Sequence, residues 1–299
     1  MILDKIIEKK KERVEKAKMK TGFEEMKKKA EEMICNAEQK NKSEKNKSEK
    51  NKSEKNKFLL KEHEEFIIIS EVKKASPSKG KFDFQYDIPE LVSHYEEGEA
   101  DIISVVTEED FFLGGVELFE EVRQSTKLPL LRKDFVIDSY QIYESKVLGA
   151  KFILLISSVL TENKLKEFIN ISLSLGIEPL VEVHTKEDLQ KALNANARMI
   201  GINNRNLKEF KTSLDNTRNI LPLIPKDKVV ISESGIENSE DILELKKIGS
   251  DEVFVNGVLV GEALVKNKNP AEKIRELKLT DKIDKEITSG GGKEGRKNG

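Results

Sequence analysis

The chain has 299 residues with 53 basic and 55 acidic side chains, and its formal charge of −2 gives no global attraction to nucleic acid or an acidic membrane. That length exceeds a typical single domain but suits one α/β barrel, and a 37% hydrophobic share is enough for a sizeable core. The single cysteine, Cys35, rules out a disulfide framework; no apolar run is long enough to span a bilayer, and Met1-Ile-Leu-Asp-Lys5 turns charged at once, so a cytoplasmic chain is expected.

Residues 1–36 are rich in Lys and Glu, with Leu3, Ile7, Val14 and Ala17 near helical spacing. This predicts an N-terminal helical extension, one amphipathic helix followed by a second over 23–34, with Cys35 merely a small residue there. Residues 37–60 form a low-complexity insertion in which Lys-Asn-Lys-Ser-Glu repeats from Lys40 to Lys57, without an apolar residue. Such a segment can bury nothing, so it is expected to be disordered or at best a solvated helix. With no aromatic interleaved it makes a poor nucleic-acid arm, and no function is placed on it.

From 61 to 279 short β-branched runs alternate with amphipathic stretches. The runs cover 66–70, 102–106, 128–131, 152–156, 178–183, 199–203, 229–232 and 252–255, which predicts a (β/α)₈ TIM barrel. Several are apolar on both faces, as a barrel wall between core and helices requires. An open doubly wound sheet is the alternative, but the first strand is not followed by the glycine-rich turn of that architecture. Residues 280–299 read as a flexible polar tail; its Gly290, Gly292 and Gly295 imitate a dinucleotide fingerprint without a preceding strand or following helix.

The strand ends carry the chemistry. Alternate residues of a strand share a face, so Ile67, Ile69, Glu71 and Lys73 form an apolar stem ending in an acid and a base. By the same alternation Lys133 follows Leu131, Glu182 follows Leu180, and Glu233 follows Val229 and Ile231, while the sixth strand ends at Asn203 with Arg205 just beyond. Any one of these could be a strand end turned to water. Together they would converge on the C-terminal mouth, where this fold places catalytic groups, and a cluster of cations and carboxylates suits proton transfer around an anionic substrate. Phosphate-binding barrels use glycine-flanked amides after strands seven and eight, positions held here by Ser234-Gly235 and Val260-Gly261-Glu262. A phosphate on the Gly261 and Glu262 amides would draw charge from Lys73 and a hydroxyl from Ser76, with the Glu262 carboxylate pointing away. His184 lies near the mouth but reads as structural, His63 and His94 lie off the site, and no Cys/His spacing suggests zinc.

The blocks Glu71-Val-Lys-Lys-Ala-Ser-Pro-Ser-Lys79, Ser104-Val-Val-Thr-Glu-Glu-Asp-Phe-Phe-Leu-Gly114, Leu131-Arg-Lys-Asp-Phe135, Val181-Glu-Val183, Gly201-Ile-Asn-Asn-Arg-Asn-Leu207 and Ser232-Glu-Ser-Gly-Ile236 resemble those of indole-3-glycerol phosphate synthases. The resemblance covers about 1–275 apart from the lysine-rich repeat. Related phosphate-binding barrels share the glycine sites but not this set of lysines and glutamates. The resemblance implies a barrel with an N-terminal helical segment that closes the indole ring of 1-(2-carboxyphenylamino)-1-deoxyribulose 5-phosphate, losing carbon dioxide and water, in tryptophan synthesis. It implies Lys133 as general acid, with Glu182, Glu71 and Lys73 sharing the later proton transfers. Asn203, Arg205, Glu233 and Ser234 would hold the anthranilate carboxylate and ribulose hydroxyls, and Phe112 and Phe135 would flank the aryl ring. It implies a phosphorylated small molecule as partner, no cofactor or metal, and association with other tryptophan-pathway enzymes. A different enzyme on the same barrel, such as a phosphoribosylanthranilate isomerase, and a non-catalytic phosphosugar-binding barrel stay open as readings.

Overall fold

The computed structural model describes residues 2–44, 66–77, 79–82, 86–206, 211–250 and 252–278; most of the expected low-complexity insertion and all of the expected polar tail lie outside these. Eight parallel strands close a barrel: β1 (Ile67–Val72), β2 (Ile102–Val106), β3 (Leu130–Lys133), β4 (Phe152–Ile156), β5 (Glu178–Val183), β6 (Met199–Asn203), β7 (Val229–Glu233) and β8 (Gly257–Val260), each paired with its sequence neighbours and β8 with β1. This is the expected TIM barrel.

Two concentric cores hold it together. Ile67, Ile69, Leu131, Leu180, Val229, Ile231 and Leu259 point inward and pack on one another, while Ile68, Ile103, Ile153, Val181, Ile200 and Val230 face the helical layer. Alternate residues therefore go to opposite cores, which explains why the strands read as continuous apolar runs. After two N-terminal helices, α1 (Ile2–Lys20) and α2 (Phe23–Glu44), the outer layer consists of α3 (Ile88–Glu97), α4 (Val116–Ser125), α5 (Ser139–Leu148), α6 (Glu162–Ser174), α7 (Lys186–Asn194), α8 (Asp215–Ile220) and α9 (Ser239–Ile248). Asp87, Asp138, Thr161, Thr185 and Asn238 each accept an amide hydrogen from the first turn of α3, α5, α6, α7 and α9. At about 1 kcal/mol each, these caps fix where the mouth loops end and the helices begin. The four-residue α10 (Glu262–Val265) follows β8, and 270–278 is helical.

β1 and β7 run on through Glu71-Val72 and Glu233, and the third and eighth strands differ most from expectation. β3 begins after Pro129, which has no amide hydrogen for the ladder, and runs on through Lys133, so the lysine belongs to the strand itself. The eighth strand is 257–260 rather than 252–255. Residues 252–255 are turned aside: Ser250 N–H donates to Val253 O (2.8 Å) and Phe254 is half exposed. Pairing resumes at Asn256, whose N–H donates to Val230 O (2.8 Å) and whose side-chain Oδ1 accepts from Val230 N (2.8 Å). Gly257 then faces Ile67 so closely that a Cβ would overlap the Ile67 carbonyl, and the barrel closes only through glycine.

The N-terminal extension forms α1 (Ile2–Lys20) and α2 (Phe23–Glu44), so helix continues past residue 36 into the start of the repeat. The buried face of α1 is Ile6, Lys10 and Val14, spaced by four. Its docking is largely ionic: Lys10 reaches Asp134 (2.8 Å) and Glu109 (3.0 Å), Arg13 reaches Asp110 (2.8 Å) and Lys18 reaches Asp138 (2.7 Å). These partners belong to the loops after β2 and β3, so α1 lies across the mouth of the barrel. α2 packs on α5, with Phe23 edge-on to Tyr143 at 5.6 Å. Among the described residues no helix is long and apolar enough to cross a membrane.

Candidate active site

At the C-terminal ends of the strands, the inward-facing positions change from aliphatic to charged. On β1, Ile67 and Ile69 give way to Glu71, and Lys73 folds back so that its Nζ donates to Glu71 Oε2 at 2.5 Å. The buried Tyr95 hydroxyl of α3 donates to the Glu71 carbonyl (3.0 Å) and pins the strand end. Across the mouth, Lys133 of β3 donates to Glu233 Oε2 of β7 (2.8 Å) and lies 3.5 Å from Glu182 Oε2 of β5. Glu233 is fully buried. Its Oε1 fills the place a Cβ would take at Gly201 on neighbouring β6, so that glycine makes the carboxyl's position possible. His184, expected to be structural, brings Nε2 to 3.4 Å from Glu182 Oε1.

The electrostatics divide the three carboxyls into two kinds. Burial alone would push Glu71 and Glu182 up, but Lys73 and Lys133 for the first and Lys133 for the second outweigh it and hold both below the usual range. Glu233 goes the other way. Burial, with the Glu182 charge beside it, pushes its carboxyl up to about 7 despite Lys133. Lys133 is desolvated, yet Glu233, Glu182 and Glu71 together hold its ammonium protonated well above the normal lysine range. The centre thus sets a protonated Lys133 and a Glu233 carboxyl of raised proton affinity beside two ionised carboxylates.

The β7 and β8 loops make the opposite side. Ser234 (φ 67°) and Gly235 (φ 79°) are both left-handed, an arrangement that turns successive amides to one side. Buried Asn204 holds the serine there, donating to Ser234 O (3.0 Å) and Ser232 Oγ (2.9 Å). Gly261 is required for another reason: a Cβ there would overlap the Glu71 carboxylate. The Glu262 carboxylate is engaged with neighbouring side chains. It gathers cations, pairing with Lys79, with Lys266 (2.5 Å) and with Arg205 (3.8 Å), and against the opposing effect of burial Lys266 and Lys79 hold its carboxyl down at about 2. The Asn203 side-chain oxygen accepts the Arg205 amide (3.0 Å) and so shapes the turn that carries the guanidinium.

A cavity of about 290 Å³ joins the two sides. Glu71, Lys73, Ser76, Phe112, Lys133, Phe135, Glu182, Asn203, Arg205, Ser234, Gly235, Gly261 and Glu262 all line it. Glu233 does not: it lies behind Lys133 and touches the cavity through that lysine. At the apolar end the Phe112 and Phe135 rings are 6.3 Å apart. Ile2, Leu3 and Ile6 of α1 close that end from above, and Leu154, Ile156 and Leu259 contribute from the barrel interior. Sequence reasoning missed the α1 residues, whose helical spacing says that they are buried but not against what. It also missed Lys79, Glu108 and Thr212, which line the cavity too. Lys79 stood inside a recognised block, and its charge was the available signal. One group of metal-ligand type gathers among the described residues, Glu108, Glu109 and Asp110. Its carboxylates already serve backbone amides, Lys10 and Arg13, so a cation there would have to displace those partners.

The model of the family described as indole-3-glycerol phosphate synthase matches residues 3–277. The indole-3-glycerol phosphate synthase of Alkaliphilus metalliredigens is 45% identical over 278 residues, covering 93% of this chain and 98% of that protein. The enzyme of the same name from Endomicrobium trichonymphae is also 45% identical, over 93% of this chain and 100% of its own. Among solved structures, 3-hexulose-6-phosphate synthase from Salmonella typhimurium superposes with a TM-score of 0.57 at 15% identity, covering 73% of this chain and 99% of that one, a likeness of fold alone. The family pattern runs through the barrel and the N-terminal helices alike, and the chain belongs to the indole-3-glycerol phosphate synthase family.

Proposed function

We propose that this cavity carries the family's reaction, the decarboxylating and dehydrating ring closure of 1-(2-carboxyphenylamino)-1-deoxyribulose 5-phosphate to indole-3-glycerol phosphate. The observation that carries the reading is Lys133, a protonated lysine clamped 2.8 Å from Glu233 and 3.5 Å from Glu182 between an aryl end and a cationic end. The aryl group of the substrate lies between Phe112 and Phe135. Its phosphate takes the amides after β7 and β8 with Lys73 and Ser76, and the substrate carboxylate and hydroxyls fall to Asn203, Arg205 and Ser234.

The chemistry follows from charge. The ring carbon bearing the carboxylate attacks the ketone carbon, and the ketone oxygen becomes an alkoxide more basic than an amine. Lys133 gives that oxygen its proton, so charge never builds up fully on it. The resulting cationic imine is the electron sink for decarboxylation: the carbon–carboxylate bond breaks, its electron pair moves toward the nitrogen, and carbon dioxide leaves. Loss of the new hydroxyl as water then needs a base for the ring proton and an acid for the departing oxygen. Glu182, Glu71 and Lys73 supply these, Glu182 being held ionised below the usual carboxylate range and therefore carrying no proton of its own to give. We place the reaction in the cytoplasm and in association with other enzymes of tryptophan synthesis, which co-purification from cell extract would test.

The direct test is Lys133→Met, assayed by indole absorbance and carbon dioxide release. The expected result is a fall in kcat of about 10³-fold with KM nearly unchanged, the signature of a lost general acid. Unchanged turnover would remove Lys133 from the chemistry. A product formed without carbon dioxide would mean a different reaction on the same barrel.

A further inference from the structure

Three acids stand in a row in the loop between β2 and α4, and each is used differently. Glu109 accepts from Lys10 (3.0 Å), and Asp110 takes Arg13 through two bonds (2.8 and 3.1 Å), so both fasten the loop to α1. Glu108 turns inward, fully buried, and lines the cavity. Its Oε1 accepts the Asp110 amide (3.1 Å), and its Oε2 accepts the amides of Phe111 (2.7 Å) and Phe112 (3.0 Å). Its own carbonyl accepts the Gly114 amide (2.8 Å). One residue thus takes four amide hydrogens and curls the loop around itself.

The curl is not a relaxed one. Leu113 is left-handed at φ 54° with its side chain half exposed, a conformation that disfavours leucine. Gly114 lies against the end of β2 so tightly that a Cβ would overlap the Val106 carbonyl. Charge-assisted hydrogen bonds from three amides offset that strain. The side chain that emerges at this bend is Phe112, whose ring lines the cavity 6.3 Å from Phe135.

Resting on the synthase reading above, we propose that Glu108 is a positioning residue: by caging the amides of residues 110–112 it sets the Phe112 ring as the aryl wall of the cavity and fixes the width of that end for the anthranilate ring. Glutamate suits the task and its near relatives do not. Glutamine would turn an NH₂ toward amide donors on one side, and aspartate is one carbon too short to reach them.

The test combines Glu108→Gln, Phe112→Ala and the double variant in the full-length protein. Hydrogen exchange of the Phe111 and Phe112 amides should accelerate roughly tenfold or more in Glu108→Gln, the loss of one charged hydrogen bond. KM should rise by roughly tenfold with kcat and its pH profile nearly unchanged, and the double variant should be no worse than Phe112→Ala alone. Unaltered exchange at those amides would overturn the proposal. So would additive effects of the two substitutions, or a fall in kcat at constant KM with a shifted pH profile, which would make Glu108 an acid–base participant. If Glu108→Gln does not fold, Gly114→Ala, which pushes the same loop off Val106 without touching the carboxylate, must give the same KM rise and the same lack of additivity with Phe112→Ala, or the proposal fails. A wild-type protein that forms no indole product would reject the synthase reading, while the exchange measurement would still decide whether Glu108 holds the loop.

Discussion

Lys10→Met separates the barrel from the helix lying across its mouth. Lys10 is 3% exposed and its ammonium is shared between Asp134, equally buried, and Glu109. Burial would lower the lysine's pKa, yet the two carboxylates keep it raised. Methionine fills a similar volume without the charge, leaving Asp134 buried with one partner fewer, and breaking a buried pair from one side costs about 3–5 kcal/mol. The barrel need not unfold to relieve this, because Asp134 keeps Thr107 Oγ1 (2.7 Å) and the Phe135 amide (2.8 Å). The loss therefore falls on the docking of α1, whose equilibrium should shift by about 150- to 5,000-fold. Two readouts follow. Hydrogen exchange across 2–20 should accelerate while that of the barrel strands does not, and KM should rise because Ile2, Leu3 and Ile6 leave the aryl end. Adding Asp134→Asn to Lys10→Met removes the stranded charge and should restore part of the docking. Unchanged exchange in α1 and an unchanged KM would refute the idea that this ion pair holds the helix down.

Other tests bear on the charged centre. Gly201→Ala should leave the fold intact, since the new methyl overlaps only the end of the Glu233 side chain and meets the tip of Leu180 at 3.3 Å, but it should displace the carboxyl from Lys133 and lower kcat by about tenfold or more; normal turnover would show that Glu233 has no part in holding the lysine. Glu233 takes up its proton near pH 7 in the folded protein, above its unfolded value, so its contribution to stability is complete below the unfolded pKa and is lost as pH rises through about 7. Glu233→Gln should therefore gain stability relative to wild type between pH 5 and pH 8 in denaturant unfolding, and a difference that does not vary with pH would contradict the raised pKa. Deleting residues 45–57, which spares α2 and every described wall of the cavity, should change turnover by less than about tenfold, or 1.4 kcal/mol.

The barrel was legible because its strands face two cores. Alternate residues in runs such as 102–106 are apolar on both sides, and polar residues enter at the mouth, where inward positions lose their neighbours. The eighth strand was misplaced for a physical reason. Residues 252–255 have the higher strand propensity, but the closing contact between Gly257 and Ile67 admits no side chain, so the segment that begins with glycine is the one that pairs. Propensity describes a residue's local preference, and the last strand of a closed barrel is placed by the seven before it.

For the site, alternation along single strands identified Glu71, Lys73, Lys133 and Glu182, because each lies at the end of its own apolar stem. It could not place Glu233 behind Lys133. That depends on Gly201 of the adjacent strand leaving space for a carboxyl, a relation between two strands that neither sequence run contains. Glu262 is a similar case. From sequence its charge looked unwelcome beside a phosphate, yet the fold surrounds it with Lys79, Lys266 and Arg205 from three separate segments. Lys10 completes the pattern: on a helix crowded with exposed lysines nothing marks it out until Asp134 and Glu109 are brought beneath it. What a strand or helix carries on one face can be read along the chain. Which charge neutralises which is decided across the barrel, and in this site the balance of burial and pairing sets Glu71 and Glu182 below the usual carboxylate range and Glu233 above it.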